Sequence, residues 1–270
     1  MQDRELVNAQ EEVWDSIIEL CRDLDAPQWQ TMTDCPGWSV QDNVAHLIAI
    51  ESMLLGRPTP DHVAPDAPHV KNDVGKFNEV WVDFYRSRTG PEVLDEFRTV
   101  TDERRAILRG YSEADFAAES WTPMGPGTVR DLLPFRIFDA WVHEQDMRRA
   151  LGRPGSLEDA GAGIAMDRIA GAVGYVVGKK AGAPDGTTVV LQVRGARGRV
   201  MAVEVVGGRG NQLTEPPPDP TVRITTDVET FIALGCGRWA AEQAIDDGRV
   251  TFAGDADLGG AIVAALNVLF

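Results

Sequence analysis

The chain has 270 residues, 43% of them hydrophobic, and carries a formal net charge of -16 at pH 7. This length suffices for two domains with separate cores, and the acidity excludes sequence-independent nucleic-acid binding, which needs clustered lysine and arginine. The three cysteines are widely spaced and odd in number, so the sequence predicts neither a disulfide framework nor a CxxC metal site.

The first half of the chain is predicted to be helical. Apolar residues recur at helical spacing over residues 3–25, 39–56, 73–88 and 91–110, and the turn-rich passage TPMGPGT leads into a further helix over about 128–151. Pro134 is expected to kink this last helix or to mark the start of its continuous part. Four long helices and an extra one favour an antiparallel bundle, an architecture that builds metal sites from facing helices.

The composition changes at residues 152–156, so we predict two domains, residues 1–152 and 153–270. After a helix over about 159–180, two runs rich in β-branched residues, 187–195 and 199–207, are predicted to pair as a hairpin. The remaining elements complete an α+β layer structure: a strand over 221–226, helices near 227–246, a short strand at 249–254 and a final helix over 256–268.

The sequence also predicts a soluble, cytoplasmic protein that does not contact a membrane. No apolar run approaches the roughly 20 residues that span a bilayer, and the opening Met-Gln-Asp-Arg-Glu lacks the pattern of a signal peptide. An anionic substrate would need a local arginine, because the field of the whole protein repels it.

A polar stripe on the helix predicted over 128–151 is the strongest functional signal. Asp139 and His143 are four residues apart, which puts their side chains about 40° apart around a helix and close enough to bind one metal ion. Asp146 lies within about 20° of Asp139, and Arg136 belongs to the same stripe. Glu144 points about 100° away from His143, so it is not a candidate ligand.

A further ligand must come from one of the other three histidines. His62 and His69 lie in a proline-rich segment that is predicted to be an irregular exposed loop. His46 follows Ser39, which can cap a helix N-terminus with Asp42 in capping-box position. The helix that follows is apolar on nearly all sides, so we expect His46 to be buried in the bundle.

From spacing alone, two interpretations stay open. In the first, His46, Asp139 and His143 form a three-ligand site with one vacant position, the pattern of a catalytic zinc centre. In the second, Asp139 forms an ion pair with Arg136, and the histidines are buried side chains satisfied by hydrogen bonds.

The neighbouring side chains allow two roles as well. Asp146 can orient His143 by accepting its second ring N–H, or it can pair with Arg149 one turn later. Asn43, on the face of the bundle histidine, can contact a substrate or can be a tolerated polar residue. Trp38 can line the mouth of a pocket, but packing within the bundle is the favoured role.

Two segments about ninety residues apart, CPGWSVQDNVAHLIAIE and RIFDAWVHEQDMRRALG, resemble the mycothiol-dependent maleylpyruvate isomerase family, a branch of the DinB-like metal-binding helix bundles. In that family a bundle histidine, an acidic residue and a histidine four residues later bind a divalent metal, usually taken as zinc. These positions fall on His46, Asp139 and His143, with aspartate where the family often has glutamate. The metal assignment rests on this motif match.

The resemblance extends to the second half of the chain, since such enzymes commonly carry a C-terminal domain similar to sterol carrier proteins. Residues 221–266 resemble that domain. The implied fold is an antiparallel four-helix bundle of the DinB type followed by a smaller α/β sandwich that resembles sterol carrier proteins.

An arginine from the C-terminal domain holds the anionic substrate in the family that the chain resembles. Gly235-Cys236-Gly237-Arg238 is a glycine-flanked turn that presents an arginine. Arg238 is therefore the candidate catalytic residue and Arg249 the second choice. The alternative for either side chain is a plain surface charge.

The resemblance implies a metal-dependent enzyme that uses mycothiol as its thiol cosubstrate. A free thiol has a pKa near 8.5, whereas a thiol coordinated to zinc is deprotonated. The thiolate would add to a small anionic or electrophilic substrate, giving isomerisation of the maleylpyruvate type or S-transfer, and the residues do not choose between them. The alternative is a non-catalytic protein whose C-terminal domain binds a lipid or another small molecule.

Overall fold

The computed structural model describes residues 1–268 and divides the chain into two compact units, Met1–Ser156 and the part from Leu157 onward. The N-terminal unit is helical apart from one small hairpin, and the C-terminal unit combines helices with a five-stranded sheet. The predicted α+β fold with two domains is therefore confirmed.

The N-terminal unit contains the helices that the apolar periodicity predicts, together with two short ones. Its elements are α1 (Asp3–Cys21), α2 (Ala26–Trp29), α3 (Val40–Leu54), α4 (Asp73–Arg86), α5 (Gly90–Gly110), α6 (Glu113–Phe116), β1 (Glu119–Thr122), β2 (Gly125–Thr128) and α7 (Val129–Leu151). The passage TPMGPGT, expected only as a turn, belongs to the antiparallel hairpin of β1 and β2.

Both helices that carry the predicted ligands begin at capping boxes. At α3 the Ser39 side chain accepts a hydrogen bond from the Asp42 N–H, and the Asp42 carboxylate accepts one from the Ser39 N–H, as predicted. Thr128 and Asp131 form the same arrangement at α7. Pro134 lies inside α7, which is continuous through this position, so the helix does not begin at the proline. The caps fix where each helix starts and hence which side chains face the interior.

Helix α3 lies at the centre of the N-terminal unit. It packs against α4, α5 and α7, and α1 packs against α5 and α7. Nearly all of its side chains are buried, including His46 as expected. The largest buried side chains of the surrounding core include Trp14, Ile48, Phe97, Ile137 and Trp141. Burying an apolar side chain of this kind stabilises the fold by about 1.5–3 kcal/mol, which gives the polar side chains a rigid frame.

Gly37 provides a test of the turn that precedes α3. Its φ is +79°, and a Cβ added to it would lie 2.2 Å from Nδ1 of His69. We expect Gly37→Ala to destabilise the protein by about 1–3 kcal/mol, because alanine is strained at this φ and must displace His69 from Glu79, which it contacts at 2.9 Å. Urea unfolding measures the effect.

The matched control is Gly110→Ala at the end of α5, where an added Cβ meets nothing within 4 Å. This change should be neutral or slightly stabilising, since alanine favours helix. Equal unfolding midpoints for the two variants would contradict the explanation.

The C-terminal unit alternates helices and strands. Its elements are α8 (Ala160–Tyr175) with a π-helical continuation (Val176–Lys180), β3 (Thr188–Arg194), β4 (Val200–Val206), β5 (Arg209–Leu213), β6 (Val222–Asp227), α9 (Val228–Gly235), α10 (Ala241–Asp246), β7 (Thr251–Gly254) and α11 (Ala256–Ala264). The sheet has the order β5-β4-β3-β6-β7, with β3 and β6 parallel and the other pairs antiparallel. The predicted hairpin of β3 and β4 is confirmed.

One stretch, Ala160–Lys180, has the length and apolar composition of a membrane-crossing helix, whereas the sequence predicted no such run. Half of its apolar window is buried within the protein. The core helix of a water-soluble domain has the same character, so this stretch is weak evidence for a membrane span.

Candidate metal centre

Side chains from α3 and α7 bring three potential ligand atoms together. Nε2 of His46 lies 3.3 Å from Oδ2 of Asp139, and Nε2 of His143 lies 3.8 Å from Oδ1 of the same carboxylate. The three donor groups lie within 4.8 Å of one another. The structure thus unites the three residues that the sequence pattern singles out.

The donor set fits a single divalent cation. Zinc binds histidine nitrogen and carboxylate oxygen at about 2.0–2.1 Å in tetrahedral geometry, which places neighbouring ligand atoms about 3.3–3.4 Å apart. Nε2 of His46 lies 3.3 Å from one oxygen of Asp139 and Nε2 of His143 lies 3.8 Å from the other oxygen, so both nitrogens approach the carboxylate at distances near this value. Two imidazoles and a carboxylate also form catalytic zinc sites that keep one position open.

A row of alternating charges, buried except at Asp139, supports the Asp139 carboxylate. Arg136 donates from Nη1 to Oδ2 of Asp139 at 3.0 Å, and from Nε and Nη2 to Oε1 of Glu51 at 3.2 and 3.1 Å. Arg104 donates from Nε to the other oxygen of Glu51 at 3.0 Å. We call Arg104, Glu51, Arg136 and Asp139 the charge row. Its two positive and two negative charges cancel, and this pairing is what allows charges in the bundle interior.

The charge row keeps Asp139 in the form that binds metal. Burial acts to raise the pKa of Asp139, but the positive charge of Arg136 and the contacts with His46 hold the pKa well below its usual value. The carboxyl is therefore ionised at neutral pH. The ion pair between Asp139 and Arg136, proposed above as an alternative to the metal site, is present together with the two histidine contacts.

The second ring nitrogen of His143 faces Asn43. Nδ1 of His143 lies 2.6 Å from Oδ1 of Asn43 and 3.6 Å from Oδ2 of Asp146. Asp146 also accepts from Nη2 of Arg149 at 2.6 Å. Of the two roles considered for Asp146, the pair with Arg149 is present, and Asp146 also lies near Nδ1 of His143, although Asn43 lies closer to that nitrogen.

Trp38 forms one wall of the site, although the sequence favoured bundle packing over a place at a pocket mouth. Its ring centroid lies 5.0 Å from that of His46 and 5.7 Å from that of His143. Nε1 donates to Oε2 of Glu79 at 3.1 Å, and the same oxygen lies 2.9 Å from Nε2 of His69. The position of Trp38 next to the cap of α3 is the sequence signal that could have identified it.

Glu144 and the loop histidines lie outside the three-ligand set. Glu144 accepts hydrogen bonds from Oγ of Ser16 at 2.6 Å and Nε of Arg148 at 2.7 Å, so it faces away from the ligands, as predicted. His62 lies in an irregular loop, as predicted. Its Nε2 is 2.7 Å from Oδ2 of Asp83, so the loop is attached to α4 rather than freely exposed.

The candidate arginines belong to the C-terminal unit. Arg238 follows α9 in a turn where Gly237 has a φ of +66°, and its half-buried side chain donates to the Cys236 carbonyl at 3.4 Å. The guanidinium of Arg249 lies 4.6 Å from the ring centroid of Trp239. Substrate binding by Arg238 stays a prediction.

Comparisons with known proteins give matches to both units. The family model described as mycothiol maleylpyruvate isomerase N-terminal domain matches residues 11–148. A crystal structure of the mycothiol-dependent maleylpyruvate isomerase is 16% identical, covers 94% of this chain and 93% of that chain, and has a TM-score of 0.58, which shows a shared fold. Sterol Carrier Protein 2 Like 2 from Aedes aegypti is 20% identical over 37% of this chain and 94% of that chain, with a TM-score of 0.30. A search of the curated proteins gives no match.

Proposed function

The chain belongs to the mycothiol maleylpyruvate isomerase family, and we propose that it is a mycothiol-dependent isomerase that requires a divalent metal, zinc. The observation that carries the proposal is the cluster of His46, Asp139 and His143 inside the matched domain. A reaction that uses a thiolate needs a group that lowers the pKa of the thiol. A zinc ion held by these three residues would be such a group.

His46, Asp139 and His143 would hold the metal through two imidazole nitrogens and one carboxylate oxygen. A bound zinc ion keeps a coordinated thiol deprotonated at neutral pH. Asp139 brings a full negative charge to the site because Arg136 keeps it ionised. Trp38 packs against both imidazole rings and covers that side of the donor set.

We also propose that Arg238 holds the anionic substrate. The protein has a net charge of -16, so an anion needs a positioned guanidinium to overcome the unfavourable field. Arg238→Ala should raise KM about 10- to 100-fold, the value of one or two hydrogen bonds to a charged group. Steady-state kinetics with varied substrate measures this change.

Arg249→Ala decides between the two candidate arginines, since the guanidinium of Arg249 already packs on the Trp239 ring. It removes the same charge from the same unit and should leave KM within about twofold. Equal effects of the two substitutions would contradict a specific role for Arg238 in holding the substrate.

The reaction itself is tested with zinc-loaded protein, mycothiol and maleylpyruvate. Cis-trans isomerisation with no net consumption of thiol supports an isomerase, and it should stop when mycothiol is omitted. Accumulation of a thiol adduct, detected by mass spectrometry, would replace isomerisation by S-transfer. If the zinc-loaded protein gave neither turnover nor a thiol adduct, the proposed function would be overturned.

A cytoplasmic location accompanies this proposal. Cys21, Cys35 and Cys236 are all buried and none forms a disulfide. Cysteines that form no disulfide are typical of reducing compartments, where a small-molecule thiol is also kept reduced.

A further inference from the structure

Asn43 is buried between the start of α3 and the ring of His143, and each side of its amide has a defined partner. Nδ2 donates to the Ser39 carbonyl at 2.8 Å and to Oγ1 of Thr33 at 3.0 Å. Oδ1 lies 2.6 Å from Nδ1 of His143. The side chain has no measurable exposure to solvent.

These contacts determine the orientation of the amide. A carbonyl oxygen only accepts hydrogen bonds, so the group facing Ser39 must be the NH2. Thr33 supports the same assignment, because its hydroxyl donates to the Trp38 carbonyl at 2.9 Å and is left to accept from Asn43. The oxygen of the amide must therefore face His143.

The orientation of Asn43 in turn determines the protonation of the His143 ring. An amide oxygen only accepts, so Nδ1 of His143 must carry the hydrogen. In the neutral ring Nε2 then carries the lone pair. Nε2 is the nitrogen that lies 3.8 Å from Oδ1 of Asp139, so the lone pair faces the three-ligand set.

This tautomer also favours one of two possible ligand sets that share His143. Besides the set with His46 and Asp139, the groups of Cys35, His143 and Asp146 lie close enough to hold a metal. Within that second set His143 approaches Asp146 through Nδ1, at 3.6 Å. A nitrogen that carries a hydrogen cannot bind a metal, so the tautomer disfavours the second set.

The two histidines of the proposed centre differ in this respect. Nδ1 of His46 is buried without a hydrogen-bond partner among residues 1–268, so no contact on that side fixes its tautomer. Ligand histidines usually donate their other ring N–H to a fixed acceptor. Only His143 has this anchor, through Asn43.

We propose that Asn43 is a positioning residue that holds His143 in the Nδ1–H tautomer and directs Nε2 to Asp139 and His46, which selects this ligand set over the one with Cys35. The selection of ligands rests on the proposed metal centre. The tautomer is a property of the metal-free protein, so it can be tested separately.

The first test is ¹⁵N NMR of the histidine rings in the metal-free protein, which contains only four histidines. We expect the Nδ1–H tautomer for His143 in the unmodified protein and in Asn43→Asp, which keeps an acceptor for Nδ1–H. Asn43→Leu removes the closest acceptor, leaves Asp146 at 3.6 Å from Nδ1, and should weaken this preference. The proposal would be overturned if His143 carried its hydrogen on Nε2 in the unmodified protein. This measurement does not depend on whether a variant folds.

The second test compares zinc affinity with a matched control on the same helix. Gln41→Leu also removes a buried amide, one that donates to the Tyr85 and Arg88 carbonyls at 3.1 and 2.9 Å, away from the ligands. Competition titration should give about 10- to 100-fold weaker zinc binding for Asn43→Leu, and little change for Gln41→Leu.

The outcomes separate the two proposals. Equal zinc affinity for Asn43→Leu and Gln41→Leu would overturn the positioning role. An unmodified protein that shows the Nδ1–H tautomer but binds no zinc would overturn the metal centre and the ligand selection, while the action of Asn43 on the ring would stand.

Discussion

Glu51→Ala is expected to lower the free energy of unfolding by about 3–5 kcal/mol, since removing one partner of a buried ion pair leaves an uncompensated charge. Glu51 is 1% exposed, and its two oxygens accept from the guanidinium groups of Arg104 and Arg136. Its removal leaves two arginines without their shared carboxylate. Chemical denaturation of both proteins in the absence of metal measures the difference.

A surface pair supplies the control for this prediction. Asp95 and Arg98 are one turn apart on α5 at 2.8 Å, and their side chains are 74% and 38% exposed. Asp95→Ala should cost less than about 1 kcal/mol, because exposed ion pairs are screened by water and salt. If the two variants lost similar stability, the charge row would not be a buried structural unit.

The second large effect is expected from the ligands themselves. Zinc binding to structural sites is worth about 10–16 kcal/mol over four ligands, so losing one ligand should weaken the affinity at least about 10²- to 10³-fold. Asp139→Ala and His143→Ala should each show this loss in a competition titration, together with a parallel loss of thiol-dependent turnover.

Glu144→Gln is the matched control because it alters a buried carboxylate on the same helix, directly beside His143. Glu144 faces Ser16 and Arg148 rather than the ligands. The zinc affinity of the Glu144→Gln variant should change by less than about threefold, a shift worth under 1 kcal/mol. A loss as large as that of Asp139→Ala would indicate that the bundle, rather than the ligand set, had been damaged.

The features that the sequence predicts correctly are local. The capping box of Ser39 and Asp42 is encoded within four residues, and the spacing of Asp139 and His143 places both on one face of α7. The same periodicity excludes Glu144 from the ligand set. Hydrogen bonding and helix geometry over one turn are sufficient for each of these predictions.

The contacts that the sequence does not predict join distant parts of the chain. Asn43 and His143 are 100 residues apart, and Glu51 and Arg136 are 85 apart. Neither pair has a local pattern that distinguishes it from ordinary polar residues on a helix. Strand β5 was missed for a different reason, since its sequence RGNQL lacks β-branched residues and forms a strand through its pairing with β4.

The metal content of the purified protein is the most direct test of the proposed metal centre. Elemental analysis after zinc reconstitution and removal of unbound metal should give about one zinc per chain for the unmodified protein, as expected for a single three-ligand site. The double variant Asp139→Ala, His143→Ala should retain almost none while remaining folded. Near-zero zinc in the unmodified protein, or equal zinc in both proteins, would contradict a metal centre at His46, Asp139 and His143.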